Sequence, residues 1–342
     1  MSKTALVISG GGSKGAFAVG ALKAIFQHNP QMKFDILIGT STGALIAPLA
    51  SPKDIKLLEQ LYTTVKTDNV ITTYNVGNRF LTADSIFGVE PLAKLMQQYY
   101  TDAFFQDLTA RPYNVILATT CLQTEEAVYF SSKPLSLPTE HHVVPVNKAD
   151  HFRRAVMASA CQPVFMTPIE VIPGAQPVRQ YVDGGVREYA GVQLAIEQGA
   201  DEIFVVLLSA AGSTPVEKRY TSVPDILMRT IDIFTADVSE NDLIIPQLYN
   251  RALNYMDGVR VNLKQHGIPD NQIEKLLNVP GNPFSGKRSV NLHIIRPDGY
   301  LGGGPGGLTF DPAEMKGMVA KGQSSMNHYI AGLPPGSSSV LV

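Results

Sequence analysis

The sequence of 342 residues is poor in cysteine, in net charge and in long apolar runs. Its two cysteines, Cys121 and Cys161, provide no disulfide framework and favour a reducing compartment. The formal net charge of −2 marks no nucleic-acid-binding surface, so we expect no nucleic acid partner. No apolar run approaches the roughly 18 residues that span a bilayer. These absences argue against a disulfide-rich scaffold, a nucleic-acid-binding protein and an integral membrane protein.

The remaining composition is that of a globular protein, with 44% apolar and 17% charged residues. Residues 1–10 hold one lysine and a short apolar run, which predicts a first strand and is too short for the apolar core of a signal peptide. We therefore expect a soluble cytoplasmic protein, with export by a route without a cleaved signal left open. No cysteine and histidine cluster has the spacing of a zinc site, so we expect no metal.

Strand-like and helix-like segments alternate along the chain, which favours a mostly parallel sheet with helices on its faces. The apolar patterns predict strands at 4–8, 34–38, 113–120, 127–131, 203–208 and 292–296, and a hairpin from 169–172 and 178–182. They predict helices at 15–27, 51–65, 89–100, 152–160, 192–198 and 311–321. We expect one domain over 1–342, with a core at about 4–210 and a helical and loop region at about 220–342 packed on it.

Four further segments have less regular patterns. Residues 66–87 and 133–147 are predicted loops, and 67–80 is a candidate for a mobile cover. Residues 224–256 are predicted to be an amphipathic helical region that is broken near Pro246. The glycine-rich stretch 301–307 is predicted to be a mobile connection.

Ser41 lies between two glycines in the run Gly39-Thr40-Ser41-Thr42-Gly43. A buried strand precedes this run, and the helix-compatible residues 44–47 follow it. This context is the one that the nucleophile-elbow pattern G-x-S-x-G requires, with the serine hydroxyl exposed on a strand-to-helix turn. Pro48 is expected to end or kink the helix that follows.

A second glycine motif, Gly10-Gly11-Gly12-Ser13-Lys14-Gly15, joins the first predicted strand to the first helix. Its spacing fits the dinucleotide pattern G-x-G-x-x-G, which also needs an acid at the end of the second strand. Asp35 has the right distance but stands at the start of that strand, and no Lys-Ser or Lys-Thr follows for a phosphate loop. The loop can therefore hold an oxyanion on its backbone N–H groups, or serve only as a tight turn.

Both motifs follow strands and so belong at the carboxyl edge of a parallel sheet, which indicates acyl transfer from an ester. A serine hydroxyl needs a base, and the seven histidines are scattered without a recognisable base motif. Asp183-Gly184-Gly185 follows a predicted strand and is either a type I′ turn or the source of that base.

Together, these three motifs resemble those of the patatin-like phospholipase family. Residues 158–165 are similar to the family's Ala-Ser-x-Ala-x-Pro-x-x-Phe stretch, and residues 308–312 to a C-terminal segment of bacterial members. The resemblance implies an α/β three-layer sandwich with a mostly parallel central sheet. The chain departs from the family pattern at Gly191, where a proline is usual.

The resemblance also implies the roles of individual residues. Ser41 is the expected nucleophile, Asp183 is the expected general base of a dyad without histidine, and no cofactor takes part. The expected oxyanion donors are Gly10, Gly11 and Gly12. Residues expected to support the motifs are Lys14, Gly15, Gly39, Thr42, Gly43, Gly184 and Gly185.

The expected substrate is a phospholipid, a lysophospholipid or another acyl ester. The apolar stripe of residues 224–256 is a candidate for transient contact with a membrane surface, although most such stripes belong to a core. Two other classes of function stay open at this point. They are a catalytically silent lipid-binding or interaction protein and a dinucleotide-dependent enzyme that uses Gly10 to Gly15.

Overall fold

An eight-stranded, mostly parallel sheet forms the centre of the computed structural model, which describes residues 2–74, 79, 82–212, 217, 219–285 and 287–333. The strands are β1 (Thr4–Ile8), β2 (Ile36–Thr40), β3 (Asn114–Cys121), β4 (Ala127–Ser131), β5 (His142–Pro145), β6 (Tyr181–Asp183), β7 (Glu202–Val206) and β8 (Asn291–Ile295). Their order is β5-β4-β3-β2-β1-β7-β8, with β6 also paired to β3. The two antiparallel pairings are those of β4 and β6 with β3, and β5 pairs parallel to β4.

Helices pack on both faces of the sheet. They are α1 (Gly15–His28), α2 (Thr42–Ile46), α3 (Ile55–Thr64), α4 (Glu90–Tyr99), α5 (Asp102–Ala110), α6 (Ala149–Ala160), α7 (Val192–Glu197), α8 (Val223–Gln265), α9 (Asp270–Leu277) and α10 (Pro312–Ala331). Successive side chains of a strand point to opposite faces, so Leu6 and Ile8 join one buried apolar cluster whereas Ala5 and Val7 join the other. The predicted α/β architecture with a central sheet between two helical layers is confirmed.

The long helix α8 corrects the predicted break near Pro246. The helix runs without interruption through Pro246, which is itself buried, as is Leu243. Burial of these side chains against the core offsets the backbone hydrogen bond that proline cannot donate. By contrast, the expected effect of Pro48 is confirmed, because α2 ends at Ile46 and a short 3₁₀ turn (Ala47–Leu49) follows.

Several predicted boundaries also change. Helix α3 starts at Ile55 rather than residue 51, because the Ser51 hydroxyl bonds to Asp54 and closes a turn before the helix. The predicted loop 133–147 contains β5, which pairs with β4. The predicted hairpin is reduced to one bridge between Ile169 and Tyr181, because β6 pairs with β3 instead.

Two segments expected to be mobile have different outcomes. The stretch 301–307 is packed rather than mobile, and Gly306 and Gly307 are buried in a short 3₁₀ turn. Part of the candidate cover 67–80 lies outside the described residues.

Helices α5 and α9 have no predicted counterpart. None of the helices in the described ranges combines the length and the apolar composition that crossing a membrane requires.

Candidate active site

Ser41 occupies a sharp turn between β2 and α2, at the carboxyl edge of the sheet. Its backbone has φ 56° and ψ −123°. This conformation costs free energy for any residue that carries a side chain. Close backbone packing holds the turn. A Cβ added at Gly39 would lie 2.3 Å from the Gly43 carbonyl oxygen, and one added at Gly43 would lie 2.1 Å from the Ile8 carbonyl oxygen. The glycines of the predicted motif are therefore needed for the elbow to form.

Ser159 fixes the elbow from the neighbouring helix. The Ser41 N–H donates a hydrogen bond to Ser159 Oγ over 3.0 Å, and the Ser159 hydroxyl donates to the Ala118 carbonyl over 2.6 Å. Ser159 is fully buried near the end of α6. This hydroxyl thus links α6, β3 and the elbow. The only signal for it in the sequence is the stretch 158–165, which matches the family pattern without indicating a role.

Asp183 reaches the same place from the opposite direction. β2 pairs with β3 as far as Thr40, which lies opposite Ala118. β6 runs antiparallel to β3 and ends at Asp183, which lies opposite Thr119. Because β4 occupies the other side of β3 here, β2 and β6 follow the same side and their ends meet. This arrangement brings the predicted serine and aspartate together although 141 residues separate them.

The Ser41 hydroxyl lies beside the Asp183 carboxylate and lowers its pKa through a hydrogen-bonding interaction. Each residue is only 6% exposed. Burial raises the pKa of Asp183 to about 6, and hydrogen bonds from Ser41 and from the Gly185 N–H limit this rise. The Gly185 N–H lies 2.8 Å from Asp183 Oδ1. At neutral pH the carboxylate is therefore mostly ionised and is a stronger base than an exposed aspartate.

The turn after Asp183 is a short 3₁₀ turn, Gly184–Val186, rather than a type I′ turn. The Asp183 carboxylate caps this turn through its bond to Gly185. Gly184 packs closely on β3, since an added Cβ would lie 2.5 Å from the Ala118 carbonyl oxygen. Gly184 packs on β3 and Gly185 binds the carboxylate, so both predicted support glycines contact the surroundings of Asp183.

The glycine loop lies beside the Ser41 side chain. A Cβ added at Gly10 would lie 3.0 Å from Ser41 Cβ and 3.6 Å from its Oγ. Gly11 and Gly12 have φ values of 152° and 59°. Within the described residues, nothing accepts a hydrogen bond from the N–H groups of Gly10, Gly11 or Gly12. The loop therefore holds three backbone donors that have no acceptor among the described residues, and Gly10 lies against the Ser41 side chain.

Asp35 lies at the opposite edge of the sheet from this loop. Its carboxylate accepts a hydrogen bond from the Thr4 N–H over 2.8 Å, at the start of β1, whereas Gly10 follows the end of β1. A dinucleotide site needs an acid near the loop to bind a ribose. Asp35 cannot take that part, and the geometry gives no support to the dinucleotide alternative.

Thr42 and Gly15 join the elbow to the start of α1. The Thr42 hydroxyl is hydrogen-bonded to the buried Tyr62 hydroxyl. A Cβ added at Gly15 would lie 2.5 Å from Thr42 Oγ1 and 2.7 Å from a Tyr62 ring carbon. These two predicted support residues therefore pack behind the nucleophile turn.

The contacts of Lys14 lie away from Ser41 and Asp183. Its ammonium lies 5.8 Å from the centre of the Tyr300 ring and is attracted by the Asp232 carboxylate. Burial lowers the pKa of Lys14. In the described part of the chain, no hydrogen bond joins this ammonium to Ser41 or Asp183.

Tyr189 connects the turn at Gly10 with the turn after Asp183 and was not predicted from the sequence. Its hydroxyl donates to the Gly10 carbonyl over 2.6 Å, and its ring lies 3.3 Å from the Cβ positions of both Gly10 and Gly185. Its N–H donates to Asp242 Oδ2 over 2.6 Å. No sequence pattern marks this residue, because it stands in the stretch that departs from the family pattern.

The N-terminal half of α8 covers the site. A Cβ added at Gly185 would lie 3.4 Å from Thr235 Cγ2, and Asp242 holds the backbone N–H groups of Tyr189 and Ala190. The turn at 305–307 closes another side. There, Gln162 Nε2 donates to the Gly306 carbonyl over 2.8 Å, and residue 307 packs on the glycine loop. These contacts explain the low exposure of Ser41 and Asp183.

Histidines and metal ligands play no visible part in this arrangement. Among the described residues, no histidine is hydrogen-bonded to Ser41 or Asp183. The buried His293 is bonded instead to Glu202 and Tyr329. The same residues hold no group of three histidine, cysteine or acidic side chains that could bind a metal ion.

A mostly parallel sheet whose glycine-rich turns meet at its carboxyl edge is typical of α/β enzymes. Residues 6–196 match the family model of the patatin-like phospholipases. Because this match spans more than half of the 342 residues, the chain belongs to the patatin-like phospholipase family. The predicted family is confirmed, and membership supports lipid acyl hydrolase activity in general.

Comparison with solved structures shows a similarity to VipD from Legionella pneumophila. The TM-score is 0.44 and the sequence identity is 13%, over 96% of this chain. The aligned region is 66% of the VipD chain, so this chain spans less than two thirds of that protein's length. Comparison with curated proteins gave no match.

Proposed function

We propose that the protein hydrolyses carboxylic ester bonds of lipids through an acyl intermediate on Ser41, with Asp183 as the general base. The observation that carries this proposal is the meeting of the Ser41 hydroxyl and the Asp183 carboxylate at a buried position, where the two side chains interact. A nucleophile within hydrogen-bond reach of a base with a raised pKa is the arrangement that nucleophilic catalysis requires.

In the acylation step, Asp183 accepts the Ser41 proton while Ser41 Oγ attacks the ester carbonyl carbon. The tetrahedral intermediate then collapses, the alcohol leaves with the proton, and an acyl-serine ester forms. Water deprotonated by the same carboxylate hydrolyses this ester and restores the serine. The raised pKa of Asp183 supports both steps, because a base of higher pKa takes up a proton more readily.

Negative charge develops on the carbonyl oxygen during each attack. Backbone N–H groups that are already in place stabilise such charge at little reorganisation cost. We propose that Gly10, Gly11 and Gly12 supply these donors, because their N–H groups have no acceptor in the described chain and Gly10 lies against Ser41. Thr42 is a weaker candidate, as the residue that follows the nucleophile.

The substrate is proposed to be a phospholipid, a lysophospholipid or another acyl ester presented at a lipid surface. The outer face of α8 supports surface contact, because it exposes large apolar side chains above the covered site. Six of the apolar side chains on this helix that are 48–64% exposed are Ile226, Ile233, Phe234, Ile244, Ile245 and Leu248. An amphipathic helix with an apolar outer face is suited to the interface of a bilayer.

We further propose that the whole chain acts as one unit. The helix α10 lies close against α1, since a Cβ added at Gly322 would lie 1.9 Å from the Phe17 carbonyl oxygen. The helix α8 is fixed to the site through Asp242. A cytoplasmic location is supported by Cys121 and Cys161, which are both buried and unpaired.

The dyad is tested by labelling with a fluorophosphonate probe and by turnover of a short-chain nitrophenyl ester. Wild type should react with the probe and turn the ester over, and Ser41→Ala and Asp183→Ala should remove turnover. The matched controls are Ser324→Ala and Asp298→Ala, which change exposed residues and should leave turnover intact. An inert wild type, or unchanged turnover in both dyad variants, overturns the mechanism.

Surface contact is tested separately by flotation with phosphatidylcholine vesicles. Phe234→Ser and Ile245→Ser should reduce the bound fraction severalfold while leaving turnover of the soluble ester unchanged. Val261→Ser is the control, because it lies at 57% exposure on the same helix but far from the covered site. Equal flotation of all four proteins would show that this face does not contact lipid.

A further inference from the structure

A polar groove with a volume of about 450 Å³ runs along the free edge of the sheet, outside the site described above. The edge strand β8 forms its floor, and side chains of α8 and α10 form its walls. The residues that matter here are Gln247, Asn250, Arg251, Asn254, Leu292 and Ile294.

The backbone of β8 offers unpaired hydrogen-bonding groups to this groove. Asn291 donates to the Asp201 carbonyl over 2.8 Å and Ile295 accepts from the Leu207 N–H over 2.9 Å, so the odd-numbered residues face β7. Because successive residues of a strand alternate in direction, the N–H and C=O groups of Leu292 and Ile294 face the groove. In the part of the chain that the structure describes, nothing is hydrogen-bonded to them.

Asn250 shows that this edge accepts an amide partner. Its Nδ2 donates to the Val290 carbonyl over 2.7 Å, and its Oδ1 accepts from the Val290 N–H over 2.8 Å. A carboxamide has the same donor and acceptor as a peptide group. The side chain therefore pairs with Val290 as an added strand would, and leaves the next two outward positions open.

The charge in the groove indicates the chemistry of a partner. Arg251 is exposed and, within the described residues, has no carboxylate within 4.0 Å. The buried Glu202 of β7 is already bonded to His293 and Asn291 of β8. A guanidinium without a local partner favours an acidic side chain. Gln247 and Asn254 add further amides that can bind a polypeptide backbone.

We propose that the β8 edge binds an extended polypeptide segment that carries an acidic residue. The segment adds as one more strand, pairs with Leu292 and Ile294, and places its acid on Arg251. A second copy of the sheet is a poorer occupant, because α8 and α10 flank the edge and admit a single extended chain. Exposed strand edges are usually protected, which makes an open edge in a polar groove a recognition feature. This proposal does not depend on the proposed hydrolase activity.

The test uses a phage-displayed library of random dodecapeptides selected against the full chain. Enriched peptides should contain an acidic residue and bind the purified protein. Leu292→Pro removes the outward N–H but no bond to β7, and should weaken their binding at least tenfold. Leu292→Ala is the matched control, because it removes the same side chain and keeps the N–H, and it should retain binding within about threefold of wild type. Arg251→Gln should weaken acidic peptides about tenfold.

A measurement on the wild-type protein keeps the test decisive if the proline substitution impairs folding. In wild type, an enriched peptide should slow hydrogen exchange of the Leu292 and Ile294 amides. The absence of enrichment, equal binding to the proline and alanine variants, or unchanged exchange overturns the proposal. A dimer of the free protein that Leu292→Pro dissociates would also overturn it, in favour of a second copy.

Discussion

The two turns that meet at the candidate site are held by different means. The Ser41 turn is fixed by its own backbone, with glycines packed against carbonyl groups on both sides and Ser159 bonded to its N–H. The Asp183 turn rests on a three-residue strand and on the capping bond to Gly185. The Asp183 N–H also donates to the Cys161 carbonyl, and Gly184 packs against the Ala118 carbonyl. Its surroundings come from far away in the sequence, chiefly from α8.

This difference separates two properties of the site. The position of Ser41 is set by close backbone packing and is sensitive to the addition of a single methyl group. The strength of the base is set by burial under Tyr189 and α8, because desolvation is the main cause of the raised pKa of Asp183. Substitutions near Ser41 should therefore alter the geometry of the turn. Substitutions at Asp183 should alter the charge of the site and the stability of the protein.

The largest effect is expected from Gly43→Ala, which attacks the local geometry. The new Cβ would lie 2.1 Å from the Ile8 carbonyl oxygen, a backbone atom that cannot move away cheaply. We expect no measurable ester turnover and a loss of more than about 3 kcal/mol in the free energy of unfolding, by the overpacking rule. Thermal melting and ester assays measure both.

The control for this prediction is Gly317→Ala in α10, where an added Cβ meets nothing within 4 Å. This change should leave turnover unchanged and stabilise the helix by up to about 1 kcal/mol. Wild-type turnover in Gly43→Ala would show that the elbow can relax, and the contrast between the two turns would then be lost.

The second effect is expected from Asp183→Asn, which keeps the shape and removes the charge. Turnover should fall about 10²–10⁴-fold, the usual contribution of a general base. The free energy of unfolding should instead increase. The folded pKa is raised from 3.8 to about 6, so folding at pH 7 buries an ionised group at a cost of up to about 3 kcal/mol.

The gain in stability of Asp183→Asn should depend on pH with a definite sign. Above pH 6, both folded and unfolded wild type are ionised and the full cost is present. As pH falls from 6 towards 3.8, the folded form takes up its proton first and the cost disappears. Melting curves of both proteins should show a gain of up to about 3 kcal/mol at pH 7.5 that shrinks to about 1 kcal/mol at pH 4.5. A variant that is less stable than wild type at pH 7.5 would contradict burial as the cause.

The same contrast explains how much the sequence could predict. The elbow, the glycine loop and the parallel sheet depend on neighbouring residues, so motifs and periodicity indicated them. The meeting of β2 with β6 depends on long-range pairing to β3, and resemblance alone supplied Asp183. Tyr189 and Ser159 make their contacts across the fold and follow no local pattern. Continuity of α8 through Pro246 depends on tertiary burial, which overrides local propensity.

A third effect is expected from Ser159→Ala, which leaves the Ser41 N–H without its acceptor. An unsatisfied buried donor costs about 1–3 kcal/mol, so stability should fall by that amount. Turnover should fall about 10- to 100-fold with little change in KM, because the elbow loosens. The control is Ser131→Ala, which removes a fully buried hydroxyl that has no hydrogen-bond partner among the described residues. Equal losses in both variants would show that burial of a serine, and not this bond, is what matters.

A fourth effect is expected in the pH profile of kcat/KM. Only ionised Asp183 can accept the serine proton, so kcat/KM should fall about tenfold per pH unit below the pKa of about 6. Asp242 also has a pKa raised to about 6 by burial, and it must be separated from the dyad. Asp242→Asn keeps an acceptor for the Tyr189 N–H and should leave the midpoint in place. If kcat/KM of Asp242→Asn no longer fell at low pH, the ionisation would belong to Asp242 on α8 and not to Asp183.

The smallest effect is expected from Tyr189→Phe, which tests the link between the two turns. The change removes the 2.6 Å hydrogen bond to the Gly10 carbonyl and keeps the ring that buries Asp183. One such bond contributes about 1 kcal/mol, so kcat should fall about fivefold while KM and the pH midpoint stay unchanged. Tyr255→Phe, at a side chain that is 74% exposed, is the control. A shifted midpoint would mean that the hydroxyl tunes the base, and that geometry and charge are coupled at this contact.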